Sequence, residues 1–213
     1  MIVKLPNALA SPENYEKAVD LVRGYYEGVT TGSAQFEGSH FDVLDGGGGR
    51  RSAENVLESA DVVALTFLQV PLATKTAYDV LVRYKSELED LLALIPSDLD
   101  LVDMDPARIT EDWPAWRLYK RLQLIDGISY VRASKLLARK RPRLIPVRDR
   151  HLDKLIDGDF WAPLCRLLKE SAPGTTVSLH ERLVAIGADA GVPAQVSALR
   201  IFDVIAWREG TQR

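Results

Sequence analysis

The sequence predicts a mainly α-helical, bundle-like single domain, and three observations carry that prediction. Apolar residues recur at helical spacing over most of the chain, as in Leu81, Leu88, Leu91, Leu92 and Ile95. Helix-starting and helix-ending residues, such as Ser11-Pro12 and Pro96-Ser97-Asp98, fall between these stretches. The 213 residues are 46% hydrophobic and 27% charged, the composition of an ordinary globular chain and not of a disordered or collagen-like one. At this size roughly 70% of the unfolded surface becomes buried on folding, enough for one sizeable core.

Taken in order, the first helix is expected over residues 13–27, with Ser11 as cap and Pro12 in the first turn. A polar, glycine-containing stretch follows over residues 28–51. The short alternation of residues 40–44 inside it suggests a small irregular or β element near residues 30–50. That stretch ends in a glycine-rich loop, residues 45–51, reading Asp45-Gly46-Gly47-Gly48-Gly49-Arg50-Arg51. Four glycines suit a phosphate cradle, but no lysine followed by serine or threonine accompanies them, so a surface loop is the expectation. Helices are then expected over residues 60–70 and 74–95. Asp112 and Pro114 open another that runs to Leu124. The last helices are expected at 150–156, 161–170, 179–190 and 194–208. Within one domain the chain divides into an N-terminal helical part (1–105), a central motif-bearing part (106–160) and C-terminal helices (161–213).

Composition excludes several chemistries. Cys165 is the sole cysteine, and it reads as a small buried hydrophobe, so no disulfide framework or cysteine-ligated metal centre is expected. His40, His151 and His180 are scattered, leaving no metal-ligand cluster, and no cofactor is implied. The longest apolar stretch, residues 62–73, is interrupted by Thr66, Gln69 and Pro71 and is too short for a bilayer. With no apolar signal core in residues 1–6, a cytoplasmic location without membrane contact is the expectation.

The net charge of −3 conceals an asymmetry. Lys135, Arg139, Lys140, Arg141, Arg143, Arg148 and Arg150 share one stretch with a single acid, Asp149, leaving 20 basic and 29 acidic residues elsewhere. An acidic chain with one basic segment points to a local anion site, or to nothing more than a solvated helix face. Just upstream, Leu122 to Leu137 reads as helix end, glycine turn and helix start. Such a turn leaves backbone N–H groups without intrahelical partners, and with the helix dipole they favour an anion. Arg132 and Lys135 sit in the opening turns of the second helix, where cations oppose the dipole unless an anion joins them.

Ile125-Asp126-Gly127-Ile128-Ser129 with Ala133 resembles the helix–hairpin–helix motif of the DNA glycosylase superfamily. Arg141-Pro142-Arg143-Leu144-Ile145-Pro146-Val147-Arg148-Asp149 resembles that family's proline-containing loop, with Asp149 where the catalytic aspartate belongs. The resemblance spans residues 110–160. It implies a DNA-binding protein, acting on duplex, that hydrolyses the N-glycosidic bond of a damaged or mismatched base. Two departures stand out. Ser129 replaces the second hairpin glycine, and Val131 occupies the position of the Schiff-base lysine, which implies a monofunctional enzyme. Residues 136–147 together with 199–207 are also similar to an uncharacterised bacterial protein family of unknown function, a likeness over most of the chain that implies no activity.

The candidate catalytic residue is therefore Asp149, with Gly127, Ser129, Arg132, Lys135, Arg139, Lys140, Arg148 and Arg150 as candidate DNA contacts. A carboxylate beside the anomeric carbon stabilises the cationic sugar that forms as the base departs and orients a water. The base must first leave the stack, at a cost of a few kcal/mol, and enter a pocket. Trp113, Trp116, Tyr119 and Tyr130 are the nearby aromatic candidates for that pocket, although Trp113 and Trp116, three apart, equally suit core packing. Two readings of Asp149 stand side by side, since an aspartate before a helical stretch is a good N-cap with or without chemistry. The rivals are a DNA-binding or lesion-sensing protein without catalysis and a protein-interaction domain with no DNA role.

Overall fold

The computed structural model describes residues 4–156, 160–171 and 175–211. Among them are twelve α-helices and no strand: α1 (Asn7–Ala10), α2 (Tyr15–Tyr26), α3 (His40–Val43), α4 (Ser59–Phe67), α5 (Thr74–Tyr78), α6 (Lys85–Ala93), α7 (Pro114–Gln123), α8 (Tyr130–Lys140), α9 (Arg150–Asp153), α10 (Trp161–Lys169), α11 (Leu179–Ala190) and α12 (Ala198–Thr211). A mainly α, single-domain architecture is thus what the chain adopts.

Local chemistry accounts for most boundaries. Ser11 Oγ accepts the Glu13 N–H and opens a 3-10 turn, Pro12–Asn14, that leads into α2. α7 starts at Pro114, the helical position where a missing N–H costs least, with Trp113 rather than Asp112 at the cap. Ser178 and Glu181 form a reciprocal capping box on α11, which ends at left-handed Gly191. α12 begins four residues after the expected 194, where Ser197 Oγ accepts the Arg200 N–H.

The expected β element is instead helical: 3-10 turns at Glu37–Ser39 and Leu44–Gly46 flank α3. Neighbouring Phe41 and Asp42 are both buried, which a two-residue period would have sent to opposite faces. The expected 74–95 helix is interrupted by a π turn, Asp79–Arg83, between α5 and α6. The extra residue in that turn shifts the buried stripe, so that Val80 rather than Leu81 joins Leu88, Leu92 and Ile95 in the core. α4 stops at Phe67 because the chain turns through Gln69, a non-glycine residue at φ 58°.

The helices form two packed groups. α2 lies against α11 and α12, so the two ends of the chain share one layer, and the carboxylate of Glu209 on α12 accepts the N–H groups of Asn7 and Ala8. α8 packs on α4 and α7, and α7 on α6, forming the second group. A continuous core runs from Ala8 to Ala206 through both.

The C-terminal end of α8 joins this second group to the chain before it. Arg139, Lys140 and Arg141 are 3%, 1% and 1% exposed, and each is bonded inward. Arg139 donates to the carbonyls of Phe41 and Leu44, and Lys140 to the Asp61 carboxylate at 2.8 Å. Arg141 donates to the Ile95, Leu92 and Glu54 carbonyls and to Asn55 Oδ1. Removing that guanidinium strands several buried acceptors at once. Arg141→Met should therefore destabilise by about 3–5 kcal/mol. Arg143→Met, whose partner Asp100 is reached by a half-exposed side chain, should cost no more than about 1 kcal/mol. Urea midpoints of the two variants check the contrast.

Candidate functional site

The hairpin between α7 and α8 forms as its residue types dictate. Gly127 takes φ 84°, and Ser129 Oγ caps α8 by accepting the Arg132 N–H. Behind the turn, Thr76 Oγ1 donates to the Asp126 carbonyl at 2.9 Å and Lys75 pairs with the Asp126 carboxylate at 3.2 Å. A Cβ on Gly127 would lie 2.5 Å from Thr76 Oγ1, so close approach and positive φ both select glycine. Ile125 and Ile128 are buried beneath it, while Gly127 and Ser129 are exposed. The Arg132 guanidinium folds back to donate to the Gly127 carbonyl at 3.1 Å.

The segment bearing Asp149 is fastened to that helix. The Arg148 N–H donates to Ser134 Oγ on α8 at 3.1 Å. The Arg148 guanidinium bonds Asp153 at 2.7 and 3.0 Å and lies 5.1 Å from the ring centroids of both Tyr130 and Phe160. Tyr130 completes the tie by donating to Asp153 Oδ2. Asp149 Oδ1 accepts the His151 and Leu152 N–H groups at 2.7 and 3.1 Å, making Asp149 the N-cap of α9. Its Oδ2 has no hydrogen bond to a described residue, so the capping role uses one oxygen of the carboxylate and leaves the other.

Asp149 lines a cavity of about 370 Å³ between the two helix groups. This is near the small end of the ~300–1,000 Å³ typical of ligand pockets. Tyr25, Phe36, Phe67 and Trp207 supply aromatic walls, and Gln35, Glu37 and Gln69 supply polar groups. Lys135, Arg200 and Asp203 also line it, exposed by only 6%, 6% and 2%. Arg200 holds this wall together. It bonds both oxygens of Asp42, Asp203 Oδ2, the Tyr25 hydroxyl and the Gly38 carbonyl. Tyr26 donates to the same Asp42 carboxylate.

Burial dominates the electrostatics of this wall. It raises the Asp203 carboxyl to about 7, against the pull of Arg200 and with help from the Asp149 charge. It raises the Tyr25 phenol to about 12 and lowers the Lys135 amine, which Asp203 and Asp149 partly restore. Lys135 donates to the Leu68 carbonyl at 3.2 Å, beside the left-handed Gln69. Asp203 Oδ1 is buried without a hydrogen-bond partner.

The predicted site residues divide accordingly. Gly127, Ser129 and Arg150 are at the surface, and Arg132 is half-buried over the turn. Arg148 is half-buried and committed to Asp153. Lys135 faces the cavity, whereas Arg139 and Lys140 point into the interior, so the last two are structural cations and not surface contacts. The expected pocket aromatics lie elsewhere: Trp113, Trp116 and Tyr119 pack around Trp161 at ring distances of 5.3, 4.9 and 5.0 Å. Of the cavity's lining, Asp149 and Lys135 were predicted and the rest was not, although Arg200 and Asp203 left a signal as two charges three apart inside the apolar run from Leu199 to Ala206.

The glycine-rich loop has a packing explanation. A Cβ on Gly48 would lie 2.7 Å from the Arg139 carbonyl, and one on Gly49 3.0 Å from Pro142, so these glycines let the loop close over the end of α8. Among the described residues no group of three or more histidine, cysteine or acidic side chains is placed to hold a metal ion, and no helix is long and apolar enough to cross a membrane.

A family model described as a family of unknown function (DUF6308) matches residues 18–210. No curated protein and no solved structure matches the chain.

The shift at Asp203 makes a stability prediction. Its carboxyl rises from an ordinary 3.8 to about 7 on folding, so between those values the folded chain binds the extra proton. Stability from this group is present at low pH and is lost as pH rises through the window. Asp203→Asn should flatten the fall in Tm between pH 4 and 7, as read by thermal unfolding across that range.

Proposed function

The chain belongs to this family of unknown function, and from that premise we propose that it is a DNA-binding protein that removes a base from duplex DNA as a monofunctional glycosylase. The observation that carries the reading is the coupling of Asp149 to the hairpin. The same helix, α8, starts at the exposed turn, carries Lys135 into the cavity and holds the Asp149 segment through Ser134 and Arg148. Lys135 lies six residues from Ser129, or about 9 Å along the helix axis. A phosphate bound at the turn is therefore within a nucleotide's reach of the cavity.

In this reading the N–H groups of Gly127, Ser129, Tyr130 and Val131 in the turn, with Arg132 and Arg150, anchor the backbone. The target nucleotide leaves the stack and its base enters the aromatic cavity. Asp149 Oδ1 stays with the α9 N–H groups, which fixes the carboxylate. Oδ2 faces the anomeric carbon, stabilises the cationic sugar as the C–N bond breaks and orients the water that adds to it. Val131 offers no amine at the position that resembles the strand-cleaving lysine, so the product is an intact abasic strand.

Two outcomes are expected. Asp149→Asn preserves one capping oxygen, so it should abolish base release while leaving affinity for an abasic-analogue duplex within a few-fold. Single-turnover excision assays and fluorescence anisotropy read the two effects, and excision undiminished in the variant would remove Asp149 from catalysis. Because Lys135, Arg139, Lys140 and Arg141 are buried, few cations remain for phosphates. The plot of log affinity against log salt should have a slope of only about −2 to −3, at −0.9 per phosphate neutralised. Absence of duplex binding at low salt would overturn the DNA reading.

A further inference from the structure

Asp203 carries a buried carboxylate oxygen without a hydrogen-bond partner. It lies on α12, 2% exposed, beside Arg200, which bonds Asp42, Asp203 Oδ2, Tyr25 and Gly38, and Lys135, which donates to the Leu68 carbonyl. The unpaired oxygen is Oδ1, and Asp203 lines the cavity that Asp149 also lines. A buried acceptor without a donor is costly, and beside a cavity the missing donor can be supplied by an N–H of a bound ligand. Lys135 has the complementary deficit, since an ammonium carries three N–H donors and one is spent on Leu68.

We infer that Asp203 and Lys135 together read one edge of a nucleobase-sized heterocycle: Asp203 Oδ1 accepts a ring or exocyclic N–H, and Lys135 donates to the adjacent carbonyl oxygen or ring nitrogen. The ligand class is a cyclic amide or amidine with that edge intact. In the base-excision reading, on which the delivery of the base rests, substrates are deaminated or mispaired bases that keep this edge, and bases methylated on it are rejected. Rejection is built in, because a methyl group would meet a buried carboxylate and leave it unpaired, and discrimination against a ligand lacking a required N–H is strong for that reason. The cavity volume of about 370 Å³ suits one ring system and its sugar rather than an extended ligand. Asp203 is thus a specificity-determining residue, distinct from Asp149, whose remaining oxygen is assigned to the sugar.

The test uses the full chain and two sets of probes. At pH 8, where Asp203 is ionised, free uracil and hypoxanthine are compared with 3-methyluracil and 1-methylhypoxanthine by calorimetry or ligand-induced shifts in Tm, and duplexes containing the same four bases are assayed for binding and release. Wild-type protein should prefer each parent base over its methylated partner by tenfold or more, on the scale of one hydrogen bond to a charged group. Asp203→Asn should collapse that ratio toward one. Lys135→Met provides a second variant should Asp203→Asn fail to fold, and it should weaken the parent bases with a smaller effect on the methylated ones. A parent-to-methyl ratio near one in the wild type, or one unchanged in a folded Asp203→Asn protein, would overturn the inference. Edge discrimination among free bases without any duplex binding would retain it and overturn the excision reading instead. Duplex excision with no edge discrimination would do the reverse.

Discussion

The rest of the fold depends on the cationic end of α8. Three consecutive basic residues, Arg139, Lys140 and Arg141, are buried there. Burying three cations is tolerable because each hydrogen-bonds carbonyl, amide or carboxylate oxygens, and because the C-terminal end of a helix carries partial negative charge. The partners come from separate places in the chain: Phe41 and Leu44 around α3, Glu54 and Asn55 before α4, Asp61 within α4, and Leu92 and Ile95 at the end of α6. One helix end therefore positions four segments that have little regular structure connecting them. The glycine-rich loop follows from the same constraint, since Gly48 and Gly49 are needed to bring backbone against Arg139 and Pro142.

With its C-terminal end fixed, α8 becomes a rigid rod between two kinds of surface. Its first turn is held by Ser129 and projects the exposed hairpin. Its middle faces the cavity through Lys135 and grips the Asp149 segment through Ser134. Arg148, placed between Tyr130, Phe160 and Asp153, ties that segment to the first turn of α8. Positions held to within a fraction of an ångström are what electrostatic stabilisation of a reacting sugar requires, and rigid elements supply them better than free loops. The opposing wall comes from the Arg200 network, in which five acceptors and one guanidinium join α2, α3 and α12.

The sequence made the helical class and the hairpin legible because both rest on local chemistry. Gly127 at positive φ, Ser129 as a cap, Asp149 as the N-cap of α9 and the boundaries of α11 all follow from residue type and spacing alone. What lay hidden was long-range. Nothing near residue 79 announces a π turn, and the alternation at residues 40–44 is produced by a helical turn pressed between Arg139 and Arg200. The basic run between Lys135 and Arg150 was the most misleading feature. Charge counted along a sequence assumes solvent, and four of those seven cations are inside the protein.

That inversion changes how the cavity is to be understood. Had the basic run faced outward, the chain would have been a broad polyanion binder with a catalytic acid appended. Instead four of the run's seven cations are spent on architecture, and Arg143, Arg148 and Arg150 are what remains of it toward the surface. Non-specific phosphate attraction is then weak, and discrimination must come from what the cavity itself recognises. Three incompletely satisfied groups, Asp149 Oδ2, Asp203 Oδ1 and the remaining donors of Lys135, belong to residues that line this one cavity. A buried carboxylate oxygen without a donor and an ammonium with donors to spare, facing one void, are what a surface shaped to a ligand presents.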